Sequence, residues 1–239
     1  MSNNQTDKRT FTKDNLDTYL KELAKEFRKL NGKTMPAEII LVGGAAVLAG
    51  YGFRDMTTDI DAIIYASSAM NEAINKVRDK FDLPHGWINT DFMKTKSYSK
   101  RIIEFSKYYK TYANILSIRI ISGEYLLAMK LCSARRYKKD ISDIIGILYE
   151  HEKQNNPITF EKVEKAVFNL YGGWDSLPEG SKAYILDIIQ KGKYEEAYYA
   201  TRKDEILTKN LLSEFEEKYP NIVTETNLKS IINSLKSKK

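Results

Sequence analysis

Two carboxylates one residue apart, Asp59 and Asp61, are the side chains whose type and spacing best suit chemistry in this chain. Read as the head of a β-strand, they leave the same face of the pleat, while Ile60 and Ala62 turn towards a core. Upstream, the aliphatic run at residues 39–42 ends at Gly43-Gly44, the pattern of a buried strand entering a tight turn. Residues 45–49 then favour helix. A glycine turn at a helix start leaves backbone N–H groups open where the helix dipole favours an anion. Two carboxylates beside such a turn suit a divalent cation and a polyphosphate. Arg54 and Thr57-Thr58 lie in the intervening loop, where Arg54 fits either the neutralisation of phosphate charge or the role of an ordinary loop arginine. There is no Gly-Lys-Ser/Thr of a P-loop. Gly50 and Gly52 do not lie directly between strand and helix, as a dinucleotide fingerprint requires.

Taken together, Gly43-Gly44, the spacer 45–58 and Asp59-Ile60-Asp61-Ala62 resemble the signature of the nucleotidyltransferase superfamily, the DNA polymerase β-like fold. Segment 125–148, YLLAMKLCSARRYKKDISDIIGIL, is similar to the Lys…Asp-x-x-Asp segment of the AbiEii-like toxin branch and related uncharacterised bacterial nucleotidyltransferases. The resemblance covers residues 38–148. It implies transfer of a nucleoside monophosphate from an NTP to an acceptor hydroxyl, with Mg²⁺ (or Mn²⁺) on Asp59 and Asp61 and the phosphates on Gly43 and Gly44. It also implies that Lys130 contacts nucleotide phosphate and that Asp143 supports the site. Superfamily members often carry a third carboxylate on a later strand; the candidate is Glu104, with Asp91 and Glu124 behind it. The branch further implies a toxin–antitoxin or phage-defence setting with a cognate antitoxin protein. The acceptor stays open between RNA (tRNA within that branch), a protein hydroxyl and a small molecule. The residues alone allow plainer readings: Asp140 as a helix-terminus charge, Lys130 as a solvated lysine. A different class also stays open, a catalytically degenerate nucleotidyltransferase fold acting as a binding or interaction module.

The composition sets bounds. At 239 residues with 42% hydrophobic side chains, the chain can bury a real core as one large domain or two small ones. A formal net charge of +6 suits a nucleotide or nucleic-acid partner without demanding one. The many tyrosines serve either base stacking or helix packing. Cys132, the single cysteine, excludes an internal disulfide and a cysteine-based zinc site, and its place on an apolar helix face reads as inert packing. The polar start carries no signal-peptide pattern, and the longest apolar run, 39–53, is short of a membrane span. The expectation is a soluble, cytoplasmic protein.

The elements that must position these residues follow from periodicity. Apolar residues at 16, 19, 20, 23, 27 and 30 predict an amphipathic helix over 12–30, after a disordered start at 1–10. A helix is expected over 67–81, an irregular connection over 84–98 anchored by Trp87, and strands over 101–109 and 114–121. Helices follow over 124–136, with Lys130 exposed on its polar side at the cleft, from 141 with Asp140 near its start, and from 159. Three more cover 181–190, 194–217 and 226–235. The lysines at 229, 236, 238 and 239 are placed either to reach an RNA or simply to solubilise the end. The fold class is α+β: a nucleotidyltransferase-like mixed sheet flanked by helices over 1–121, then a helical half over 122–239.

Overall fold

The computed structural model describes residues 10–33, 35–133, 140–224 and 226–237. The expectations made for residues 1–9, for 134–139 inside the Lys-Asp block, and for Lys238 and Lys239 lie outside the described residues.

The chain opens with α1 (Lys13–Asn31), started by a capping box in which Thr12 and Asn15 satisfy each other's backbone N–H groups. Strand β1 (Ala37–Leu41) runs into α2 (Gly43–Gly50). A loop leads to β2 (Ile60–Tyr65), and α3 (Ala69–Phe81) returns over the sheet. Segment 84–98 is more regular than its sequence suggests, holding β3 (Ile88–Asn89) and a 3₁₀ turn, Asp91–Lys94. Trp87 anchors it, 1% exposed, with its indole N–H donating to the Ile74 carbonyl at 3.2 Å.

The strand expected over 101–109 begins later. Lys100–Phe105 is a 3₁₀ turn whose first N–H groups are met by Ser99, and β4 (Ser106–Tyr112) follows it. Ala113 and Asn114 both take positive φ, 51° and 55°, which makes the tight hairpin turn into β5 (Leu116–Ile121) and shortens that strand from its start. The sheet order is β3-β2-β1-β5-β4. β1 pairs antiparallel with β2 and parallel with β5, so the sheet is mixed, and β1 lies at its centre.

The second half is helical: α4 (Gly123–Ser133), α5 (Asp140–Lys153), α6 (Phe160–Tyr171), α7 (Ser181–Lys191), α8 (Tyr194–Lys218) and α9 (Leu228–Lys236). Thr159 caps α6 and Gly172 closes it in the left-handed conformation, as expected from the sequence. One apolar cluster runs from Phe11 to Tyr198, so the sheet and the helices share a core. The architecture is therefore a five-stranded mixed sheet flanked by helices and followed by a helical C-terminal half, consistent with a nucleotidyltransferase-like fold. No described helix is long and apolar enough to cross a membrane.

Candidate active site

The site is built on the turn between β1 and α2. Val42 holds the N-cap position of α2 and no side chain caps the first turn, which leaves that helix start suited to an anion. Gly43 sits at φ +55°, and a Cβ there would lie 3.0 Å from Asp61 Oδ2. Its backbone conformation and the approach of the Asp61 carboxylate both favour glycine. Gly44 answers a different need. A Cβ on it would lie 2.5 Å from Thr57 Oγ1 and 2.7 Å from an Arg54 guanidinium nitrogen, so the second glycine is where the following loop packs onto α2.

That loop delivers Asp59, and it is clamped along its length. Thr57 exchanges two backbone hydrogen bonds with Phe11, at 2.7 and 2.9 Å. The Phe53 ring packs over Gly146 of α5, where a Cβ would come within 2.6 Å of it. The Phe53 carbonyl accepts a hydrogen bond from the Tyr198 hydroxyl of α8 at 2.9 Å. Arg54 donates to Asp143 of α5. Asp59 leaves the loop as an exposed residue one position before β2, and Asp61 is half-buried within the strand.

Lys130 stands elsewhere than its helix pattern suggests. The expectation of an exposed lysine at the cleft is corrected: Lys130 is 6% exposed, Asp140 4% and Asp143 2%. Lys130 Nζ lies 2.9 Å from Asp140 Oδ1 and 2.7 Å from Asp143 Oδ2, while Ser133 donates to the other Asp140 oxygen at 3.1 Å. The reason is solvation. Packing α5 against α4 takes two carboxylates out of water, and a buried charge is tolerated only when paired and hydrogen-bonded. Burial presses the Lys130 pKa down, but the charges and hydrogen bonds of Asp143 and Asp140 outweigh it and hold the ammonium above the ordinary lysine value.

A cavity of about 880 Å³, within the range of small-molecule sites, collects Gly43, Asp59 and Asp61 on its lining together with Lys130 and Asp140. Gly44, Arg54 and Asp143 stand behind it. Of the three candidates for a further carboxylate, Glu104 is corrected: it belongs to the 3₁₀ turn rather than a strand, and it pairs on the surface with Arg101 at 3.3 Å. Glu124 accepts from Ser122 at the start of α4. Asp91 alone of the three reaches the cavity, exposed and paired with Lys94 at 2.8 Å. Among the described residues no group of three or more His, Cys, Asp or Glu side chains is placed to hold a metal. The Asp59–Asp61 pair still fits the hard, oxygen-liganded Mg²⁺, which keeps several waters and takes one or two carboxylates alongside substrate phosphates. Cys132 also touches the cavity, but burial pushes its thiol up, away from the reactive thiolate.

Sequence reasoning singled out Lys229 and Lys236 but did not place them on the far wall of this cavity. Lys96, Asp204 and Thr208, with one face of α9, complete the lining. The signal was the period of α9 itself, whose polar residues 229, 233 and 236 share a face, but nothing local says that this face meets the glycine turn.

The family model described as "Nucleotidyltransferase of unknown function (DUF6036)" matches residues 18–177, well over half of the chain, and spans Gly43, Gly44, Asp59, Asp61, Lys130 and Asp143. No curated protein and no solved structure matches. The chain belongs to this nucleotidyltransferase family, whose function is unknown.

Proposed function

We propose that the protein moves a nucleoside monophosphate from an NTP to an acceptor hydroxyl in a reaction dependent on Mg²⁺ or Mn²⁺. The observation that carries this reading is one cavity lined by both aspartates and by Gly43 at the open start of α2. Asp59 and Asp61 would hold the cation, which supplies neutralisation of the triphosphate and a lower pKa for the attacking hydroxyl. The first amides of α2 bind phosphate oxygens and align the α-phosphorus. The acceptor oxygen then forms its bond to that phosphorus, the bond to the bridging oxygen of the β-phosphate breaks, pyrophosphate leaves with the electron pair, and the hydroxyl proton passes to solvent.

Lys130 takes a different part from the phosphate contact implied by the resemblance, Arg54 a different part from phosphate neutralisation, and Asp143 supports the site from behind by holding both. Lys130 and Arg54 share Asp143 Oδ2, so both cations are engaged by the protein itself. Their role in this proposal is to hold α4, α5 and the Asp59 loop in one register, with Lys130 also forming cavity wall. The AbiEii-like assignment, a toxin–antitoxin or phage-defence setting with an antitoxin partner, a cytoplasmic location and RNA as acceptor belong to the same proposal, supported by the motif resemblance and the positive net charge.

The rival is a nucleotidyltransferase fold that binds without catalysing. What favours it is the lack, among the described residues, of a metal-holding group of three. Incubating the protein with each labelled NTP, Mg²⁺ and total cell RNA or lysate decides between them. Label appearing in a polymer or small molecule, and vanishing in Asp61→Asn, supports transfer; NTP binding with no labelled product supports the rival.

A further inference from the structure

The cavity has a wall that the donor chemistry leaves unused. Helix α9 lines it with Leu228, Lys229, Ile232, Asn233 and Lys236, a single stripe at the helical period. Lys236 is committed, since its Nζ lies 2.6 and 2.7 Å from the two Asp204 oxygens and ties α9 to α8. Lys229, one turn or more away along the stripe, is exposed and meets no carboxylate among the described residues. Lys96, in the loop after the 3₁₀ turn Asp91–Lys94, lines the same cavity, is also exposed, and likewise has no carboxylate partner among them. Two ammonium groups with no carboxylate partner among the described residues thus share one cavity with two catalytic-type carboxylates.

We infer that Lys229 and Lys96 form a subsite for a phosphate group of the acceptor. The inference rests on the donor reading above, which places the NTP phosphates at the start of α2. An acceptor carrying phosphate must approach a site rich in carboxylates, and uncompensated cations offset that repulsion; lysine binds phosphate as a point charge. Leu228 and Ile232 on the same stripe offer apolar contact to a sugar or base beside it. Lys96 lies within residues 18–177 but α9 lies beyond them, so part of the acceptor subsite is carried by a stretch that the family match does not span.

The test uses the full chain, wild type and Lys96→Gln/Lys229→Gln, titrated by calorimetry with three probes: ATP with Mg²⁺, an RNA trinucleotide, and ribose 5-phosphate. Both lysines are exposed, so the fold survives their replacement. The double variant is expected to weaken the trinucleotide or the sugar phosphate by about tenfold, with ATP affinity held within about twofold; two lost phosphate contacts amount to about that factor. Loss confined to the trinucleotide, with the salt slope shallower by about 0.7 per lysine, identifies a nucleic-acid acceptor. Loss confined to ribose 5-phosphate identifies a small phosphorylated one. Unchanged binding of both, or an equal loss for ATP, overturns the subsite. A wild-type chain that binds no ATP overturns the donor reading instead, and the phosphate probes still report on the lysines separately.

Discussion

Two pairs of aspartates stand a short way apart in this molecule and are solvated differently. Asp140 and Asp143, three apart on the first turn of α5, are buried and neutralised by Lys130, with Arg54 also on Asp143. Asp59 and Asp61, two apart at the head of β2, face a cavity; Asp59 is exposed and meets no cation among the described residues. The same side chain therefore does two jobs. A buried carboxylate with its charge met ties a junction between helices to its partner, because removing that partner strands a charge in the core. In the proposed reaction, carboxylates that line the cavity beside a helix start serve a bound cation. The first pair is expected to control stability and the second activity, and substitutions can separate the two.

The largest effect is expected at the buried pair. Lys130→Ala leaves two carboxylates in the core without their ammonium, and its cost is about 3–5 kcal/mol in urea unfolding. Retained stability within about 1 kcal/mol would mean that water replaces the ammonium, and the contrast between the pairs would fail. The linkage sign is that of a raised lysine pKa. The contribution is fully present below the unfolded lysine value and is lost only as pH rises through the higher folded one, so it is intact throughout the neutral range.

At the cavity the order reverses. Asp59→Asn and Asp61→Asn are each expected to reduce nucleotide transfer by at least about 100-fold, some 2.7 kcal/mol of transition-state stabilisation. Without metal the melting temperature should hold or rise, because removing one of two neighbouring like charges relieves repulsion. Transfer near the wild-type rate in either variant sinks the enzyme reading.

The double glycine sharpens the same contrast at smaller scale. Gly44→Ala drives a methyl into Thr57 and Arg54 and should cost about 1–3 kcal/mol by overpacking, displacing the arginine that meets Asp143. Gly43→Ala meets Asp61 and a positive φ, at about 1–2 kcal/mol, and should lower transfer as well. Equal losses of activity in the two, at equal stability, would show that the glycines do not divide their tasks this way.

Much of this was legible in the sequence. The strand, glycine turn, helix and aspartate strand are local, set by aliphatic runs and by where glycine is required. Their order was read correctly, with Asp59 one residue outside its strand. The neutralisation of Lys130 was not legible, because its partners at 140 and 143 reach it only after α5 folds back on α4. A lysine within a helical pattern looks the same whether water or a carboxylate meets it. Glu104 misled for a related reason: residues 101–105 carry enough β-branched and aromatic character for a strand, yet Ser99 caps them into a 3₁₀ turn that pairs Arg101 with Glu104. The cavity wall from α9 depended on packing at long range.

The smallest expected effect lies at the far end of α5. The Asn156 carbonyl can only accept, so His151 Nδ1 carries the proton at that 3.1 Å contact and Nε2 accepts from the Tyr51 hydroxyl at 3.2 Å. Burial lowers the His151 pKa below its ordinary value of 6.5. This contribution is present above the unfolded value and is lost as pH falls through the folded one. Thermal melts from pH 8 to pH 5 should show a modest fall that His151→Gln lessens. A fall that instead follows Asp59→Asn or Asp61→Asn would place the acid sensitivity at the cavity pair.

The most direct test of the division between the two pairs is ligand linkage. The melting temperature is measured for wild type and Asp59→Asn/Asp61→Asn, each with the four NTPs and MgCl₂, and again with EDTA. The account predicts a rise in wild type, equivalent to about 2.7 kcal/mol at a hundredfold excess over Kd, that EDTA removes and the double variant lacks. An equal rise in the double variant, or none with any NTP in wild type, would contradict it.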